Sequence, residues 1–184
     1  MNLSILKKFA YDLLPVAVGV FLALAVNNAQ QVWKESAFQN QVLSTIFEEN
    51  EANIKAINEL MAKQQRTLDT LAHYDENDAY TLYDLIQKVN GLSTPNIANY
   101  GAIYLLNNNQ SLVDVELLMK LAELDSQVKV YEFASTQIID KLYNDLYKQE
   151  SSSKRRAALM LSDIMNYEKK IIELSEDFNK LYKK

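Results

Sequence analysis

The stretch from Leu13 to Trp33 constrains this chain more than any other, because it carries no charged residue. Its apolar part runs from Leu13 to Val26. With Phe9, Ala10 and Tyr11 in front it spans 18 positions, of which Asp12 is the one charge. A bilayer core about 30 Å thick needs roughly 20 mostly apolar helical residues to cross it. The pattern therefore predicts a single transmembrane helix. Asn27, Asn28, Gln30 and Gln31 are polar but uncharged, and suit the outer interface. Tyr11 and Trp33 stand where aromatic anchors of a bilayer-water interface belong. Lys8 precedes Asp12 by four residues, a spacing that lowers the cost of an acid at that depth.

A secretory signal would share the basic Lys7-Lys8 flank and the small-residue run Ala23-Leu24-Ala25. A buried core helix is the other alternative. Pro15, Gly19 and the preceding Asp12 favour a retained anchor. Lys7 and Lys8 also set the orientation, since basic residues collect on the cytoplasmic side. The expectation is an N-terminus inside and a body outside, in the periplasm of a Gram-negative cell with the span in its inner membrane. Pro15, Gly19 and Ala23 are four residues apart, and Gly19-x-x-x-Ala23 is a small-x-x-x-small pair that admits a second helix at close range. Asn27 and Asn28 would add hydrogen bonds to such a contact.

The remainder reads as helix. The whole chain has three glycines and two prolines, too few for the turns of a β-rich domain. Its 184 residues suffice for one domain and an anchor, so 1–33 is expected to be lead-in and span and 34–184 a helical body. No cysteine is present, which removes disulfides and thiolate chemistry. After Trp33 there are 17 basic and 23 acidic residues, a net charge of −6. Nucleic acid is an unsuitable partner for that surface, because such binding rests on a basic face.

From Trp33 to His73 there is neither Gly nor Pro. Phe38, Val42, Ile46, Phe47, Ile54, Ile57, Met61, Leu68 and Leu71 form a helical stripe. The span is expected to continue as one long helix ending near His73, with Glu48, Glu49, Glu51, Lys55, Glu59 and Lys63 on a solvated face. Asp75-Glu76-Asn77-Asp78 reads as an acidic turn at a helix N-terminus. Its spacing lacks the pattern of a calcium loop. A short helix is expected over 80–90, ended by Asn90-Gly91. Thr94-Pro95 reads as the start of another, running to about Leu106. Asn107-Asn108-Asn109 breaks it. Ser111 to Asp114 reads as a capping box for a long helix striped by Leu117, Leu121, Leu124, Val128, Tyr131, Ile138, Leu142 and Leu146. Ser151-Ser152-Ser153 marks a break before a last, antiparallel helix striped by Ala157, Met160, Leu161, Ile164, Tyr167, Ile171, Leu174, Phe178 and Leu181. The expected fold is all-α: a membrane helix continuing into a long helix, with an antiparallel helical bundle.

Three patches resemble an uncharacterised family of small single-span bacterial membrane proteins. One is the span ending in Val26-Asn27-Asn28, where the family tends to have Leu-Asn-Asn-Trp. The second is Val42-Leu43, Ile46 to Asn50 and Asn53-Ile54. The third is Ile97 to Gly101, Leu105-Leu106 and Leu112. Trp33 departs from the pattern, standing further from the Asn pair. The resemblance implies a span followed by a helical extracytoplasmic body, and no particular reaction.

Chemistry-bearing motifs are absent from the sequence. The one histidine, His73, fits a helix C-terminus better than a metal site. Carboxylate pairs such as Glu48/Glu49, Glu116/Glu123 and Asp140/Asp145 are what a bundle surface supplies anyway. Tyr131, Tyr143, Tyr147, Tyr167 and Tyr182 suggest packing along the stripes. No catalytic residue, cofactor or metal is expected. The leading expectation is a non-enzymatic subunit or accessory of a membrane assembly, whose partners are the bilayer and either a membrane protein or a second copy. The alternative is a periplasmic sensor or ligand-binding bundle working through a partner.

Overall fold

A computed structural model describes residues 3–108 and 113–183, with side chains at Leu13 and from Pro15 onward. Every regular element among them is a helix: α1 Leu3–His73, α2 Leu82–Lys88, α3 Tyr100–Asn108, α4 Val115–Asp145 and α5 Ser151–Tyr182. The protein is all-α. Contacts divide the chain into two compact units, residues 1–42 and 43–184.

In the first unit the chain is helical through Pro15. Between Pro15 and Trp33 its large apolar side chains are exposed, among them Val16, Phe21, Leu22, Leu24 and Val26.

The second unit is built on residues 43–73 of α1 together with α4 and α5. Contacts of α1 and the turn after it with α5 run in opposite order: Asn50 with Asn179, Gln64 with Glu168, then Asp75 of the turn with Ser151. Ile57, Leu124, Val128, Tyr131, Ile164, Ile171 and Leu174 share one buried cluster. Leu71, Leu82, Leu85, Ile86, Leu142 and Ala157 share another, at the end where α4 leads into α5. The stripes expected on α1, α4 and α5 thus meet. Each fully buried aliphatic side chain contributes about 1.5–3 kcal/mol by leaving water.

Several boundaries differ from the sequence reading. Helix α2 is shorter than 80–90. Thr81 caps it and Asp84 completes a capping box. Its end is a Schellman turn in which Asn90 N–H donates to Gln87 O and Gly91 N–H to Ile86 O. Asn90 and Gly91 both take positive φ there. Pro95 does not open a helix: residues 91–99 are irregular and α3 begins at Tyr100. Asp114 is itself the N-cap of α4, accepting from Leu117 N–H, rather than the closing acid of a box begun at Ser111. Ser111, Leu112 and Asn109 lie outside the described residues. The break between α4 and α5 falls at 146–150, and the three serines form the first turn of α5. Serine is a favoured residue at helix starts because its hydroxyl bonds locally, so a serine run marks a beginning as readily as a gap. Leu181, expected inside, is 55% exposed, beyond the last buried turn at Phe178. Tyr143, off the Leu142 face of α4, is also exposed, as is Tyr147 in the turn that follows.

The acidic turn caps no α2 terminus. Asp75 instead accepts from Ser151 Oγ at 2.8 Å and Arg155 Nε at 2.6 Å. The Arg155 hydrogen bond, then that of Ser151, holds the Asp75 carboxyl below its ordinary range. Beside it the buried ammonium of Lys154 donates to Tyr74 O and Asn77 O, placing a cation at the carbonyl end of α1.

Candidate functional site

Two regions bear the residues singled out by sequence. In the first unit Pro15, Gly19, Ala23, Asn27 and Asn28 are all exposed. The four-residue spacing of Pro15, Gly19, Ala23 and Asn27 keeps those four near one face of the helix, drifting slowly around it, with Asn28 one step further round. A Cβ built on Gly19 would meet nothing within 4 Å. Trp33 is 81% exposed. The side chains of Tyr11, Lys7 and Lys8, together with Asp12, lie outside the described residues. The helix is long and apolar enough to cross a membrane, and none of its most apolar window is buried.

In the second unit the Ile46–Asn53 and Ile97–Gly101 patches meet in space. Glu49 uses both carboxylate oxygens to accept from the first backbone N–H groups of α3, Tyr100 at 3.1 Å and Gly101 at 3.0 Å. A carboxylate is the favoured group at that end of a helix. Asn53 is inserted against the peptide of Ala98, donating to its carbonyl at 2.7 Å and accepting from its N–H at 2.9 Å. Those two bonds hold Ala98 in irregular backbone. They explain why α3 starts after Asn99 rather than at Pro95. Gly101 permits the contact: a Cβ there would lie 2.6 Å from Ile46 Cγ1. Asn99 continues the network to Asp125 at 3.1 Å, and Asp125 pairs with Lys129 at 2.6 Å.

No family model, curated protein or solved structure matches this chain.

Deeper in the second unit lies a polar layer that the apolar stripe did not disclose. Asn50, Asn53, Gln64 and Thr67 of α1 are buried, as are Glu168 and Ser175 of α5. Gln64 Nε2 donates to Glu168 Oε1 at 2.8 Å. Tyr131 donates its hydroxyl to Pro95 O at 2.6 Å. Burial pushes the Glu168 carboxyl up to about 7, against the opposing hydrogen bond from Gln64. Burial also pushes the Tyr131 phenol up to about 12, with the charge of Glu168 adding to the effect. A cavity of about 80 Å³ opens nearby, lined by Thr94, Ser135, Leu142, Leu161 and Ile164 among others.

The face of α1 expected to be solvated is partly engaged. Glu49 caps α3, Lys63 donates to Asn90 O and Ser93 Oγ, each at 3.0 Å, and Glu51 pairs with Lys183. The signal for the buried polar residues was present in the spacing. Ile46, Asn50, Asn53, Ile57, Gln64, Thr67 and Leu71 follow one 3-4 pattern, hidden only by their polarity.

Proposed function

We propose that this chain is a single-span membrane protein, anchored by Leu13–Trp33 with its N-terminus in the cytoplasm and its body outside the inner membrane. It serves as a non-enzymatic subunit or accessory of a membrane assembly. The observation carrying this reading is the set of large apolar side chains left exposed at Leu13 and between Pro15 and Val26, where Val16 is 62%, Phe21 73% and Val26 67% exposed. A soluble monomer rarely leaves so large a contiguous apolar surface in water. A bilayer would cover it.

A non-enzymatic mode of action is supported by the structural use of three polar side chains of the second unit. Glu49, Asn53 and Asn99 bond to neighbouring parts of the fold, holding α1, α3 and α4 together. The small face of Pro15, Gly19 and Ala23 is then the contact for a partner helix, either another copy or a different membrane protein.

Carbonate washing of membranes and protease treatment of spheroplasts test the anchor. The chain is expected to stay with the membrane while its body is digested from outside. Carbonate release, or a protected body, would overturn the reading. Gly19→Leu tests the helix contact, since it preserves hydrophobicity but blocks close approach. A smaller detergent complex is expected, and an unchanged complex would leave the span as an anchor alone.

A further inference from the structure

The core of the second unit contains a carboxyl with no cation. Glu168 is fully buried on α5. Among the described residues, no ion pair reaches it. Its Oε1 takes the hydrogen bond from Gln64 Nε2 at 2.8 Å. The other two polar atoms of this pair, Glu168 Oε2 and Gln64 Oε1, are buried and have no hydrogen-bond partner. When Glu168 is ionised both of those atoms are acceptors, and neither can satisfy the other. Leaving buried acceptors unpaired is costly, most of all for a charged group. A proton on Oε2 supplies the missing donor. The carboxylic O–H would then donate to the amide oxygen beside the observed bond from the amide N–H to the carboxyl, closing a ring of two hydrogen bonds.

We propose that the folded protein holds Glu168 as a neutral carboxylic acid joined to Gln64 by two hydrogen bonds, and that this pair is a proton-operated latch between α1 and α5. The inference goes beyond the membrane reading and does not depend on it.

The surroundings keep the latch responsive to protons alone. From α1 the facing group is the Gln64 amide, which does not titrate. From α4 the titratable group coupled to Glu168 is Tyr131, whose phenol the Glu168 charge helps to raise; burial holds it at about 12 and hence neutral across the useful range. The backbone carbonyl of Pro95, in the irregular segment 91–99, takes the Tyr131 hydroxyl and brings no charge. On α5 itself the adjacent Lys169 is exposed. Burial is the dominant influence on Glu168, raising it from 4.5 to about 7.

The sign follows from the direction of that shift. A carboxyl that binds its proton more tightly in the folded state stabilises the fold fully below its unfolded pKa, and the stabilisation is lost as pH rises through the folded value. The latch is therefore closed in acid and weakens from about pH 4.5 to about 7.

Urea unfolding of the full chain in detergent, followed by circular dichroism at about pH 5.5 and about pH 8.5, tests this against Glu168→Gln. The glutamine keeps both bonds as an amide-amide pair and has no proton to lose. The wild-type folding constant is expected to fall roughly thirty-fold relative to the variant between those pH values. Parallel pH dependence of the two proteins would overturn the proposal. Infrared spectroscopy of the wild type decides the matter even if the variant fails to fold. A protonated-carboxyl stretch is expected near pH 6 and disappears at alkaline pH, and its absence near pH 6 would overturn the latch.

Discussion

Asn27 and Asn28 stand exposed in the first unit, whereas Asn50 and Asn53, of the same residue type and on the same helix, are 2% and 3% exposed in the second. The contrast extends to apolar residues. Phe21 and Leu22 are outward in the first unit, while Ile46 and Ile57 are sealed in the second. For these asparagines polarity does not decide which way the residue faces. Partners do. Asn50 donates to Asn179 Oδ1 at 3.0 Å, and Asn53 makes two bonds to the Ala98 peptide. A buried amide is tolerated when its hydrogen bonds are met and costly when they are not.

The contrast can be broken most forcefully at the centre of the second unit. Leu121 of α4 is fully buried. Leu121→Asp places an unpaired charge there, and a loss of about 4 kcal/mol or more is expected, enough to unfold a domain of ordinary stability. Thermal unfolding monitored by circular dichroism measures it. An unchanged melting profile would mean that the α4 stripe is not core.

The asparagines give the next largest effect and the sharpest comparison. Asn53→Leu strands the N–H and C=O of Ala98, and about 2–3 kcal/mol of stability is expected to go with them. Asn27→Leu, made on the exposed pair, is expected to change the unfolding of the body by less than about 0.5 kcal/mol. Equal losses from the two substitutions would erase the distinction drawn between the units.

Gly101→Ala probes the junction more gently. The new Cβ would fall 2.6 Å from Ile46 Cγ1, an atom too near the backbone to swing away. A cost of about 1–3 kcal/mol is expected from such overpacking. Ile46→Ala in the same chain relieves the clash. The double variant is therefore expected to be more stable than the sum of the single losses allows, which a double-mutant cycle reads as coupling. Strict additivity would show that α3 does not approach α1 at this point.

Much of the fold was legible in residue order alone. The lack of Gly and Pro between Trp33 and His73 favours one long helix, and α1 ends at His73, just before the polar run Asp75-Glu76-Asn77-Asp78. Asn90-Gly91 specifies a left-handed helix end, because few other residues accept positive φ at so little cost. The apolar stripes of α4 and α5 follow from helical periodicity, a local property that needs no knowledge of the partner. The uncharged run from Leu13 to Trp33 is equally a property of the sequence itself.

Tertiary structure decided the rest. Pro95 and Thr94 have every local preference for a helix start, yet α3 begins at Tyr100 because its cap comes from Glu49, some fifty residues earlier. Asn53, Gln64 and Glu168 look like surface residues to any scale of polarity. They are inside because the Ala98 peptide and each other's side chains supply hydrogen bonds that water would otherwise provide. Periodicity and turn chemistry act over a few residues and are written in the chain. Hydrogen-bond satisfaction between distant segments exists only once the helices have packed, and there the assignment of inside and outside was made.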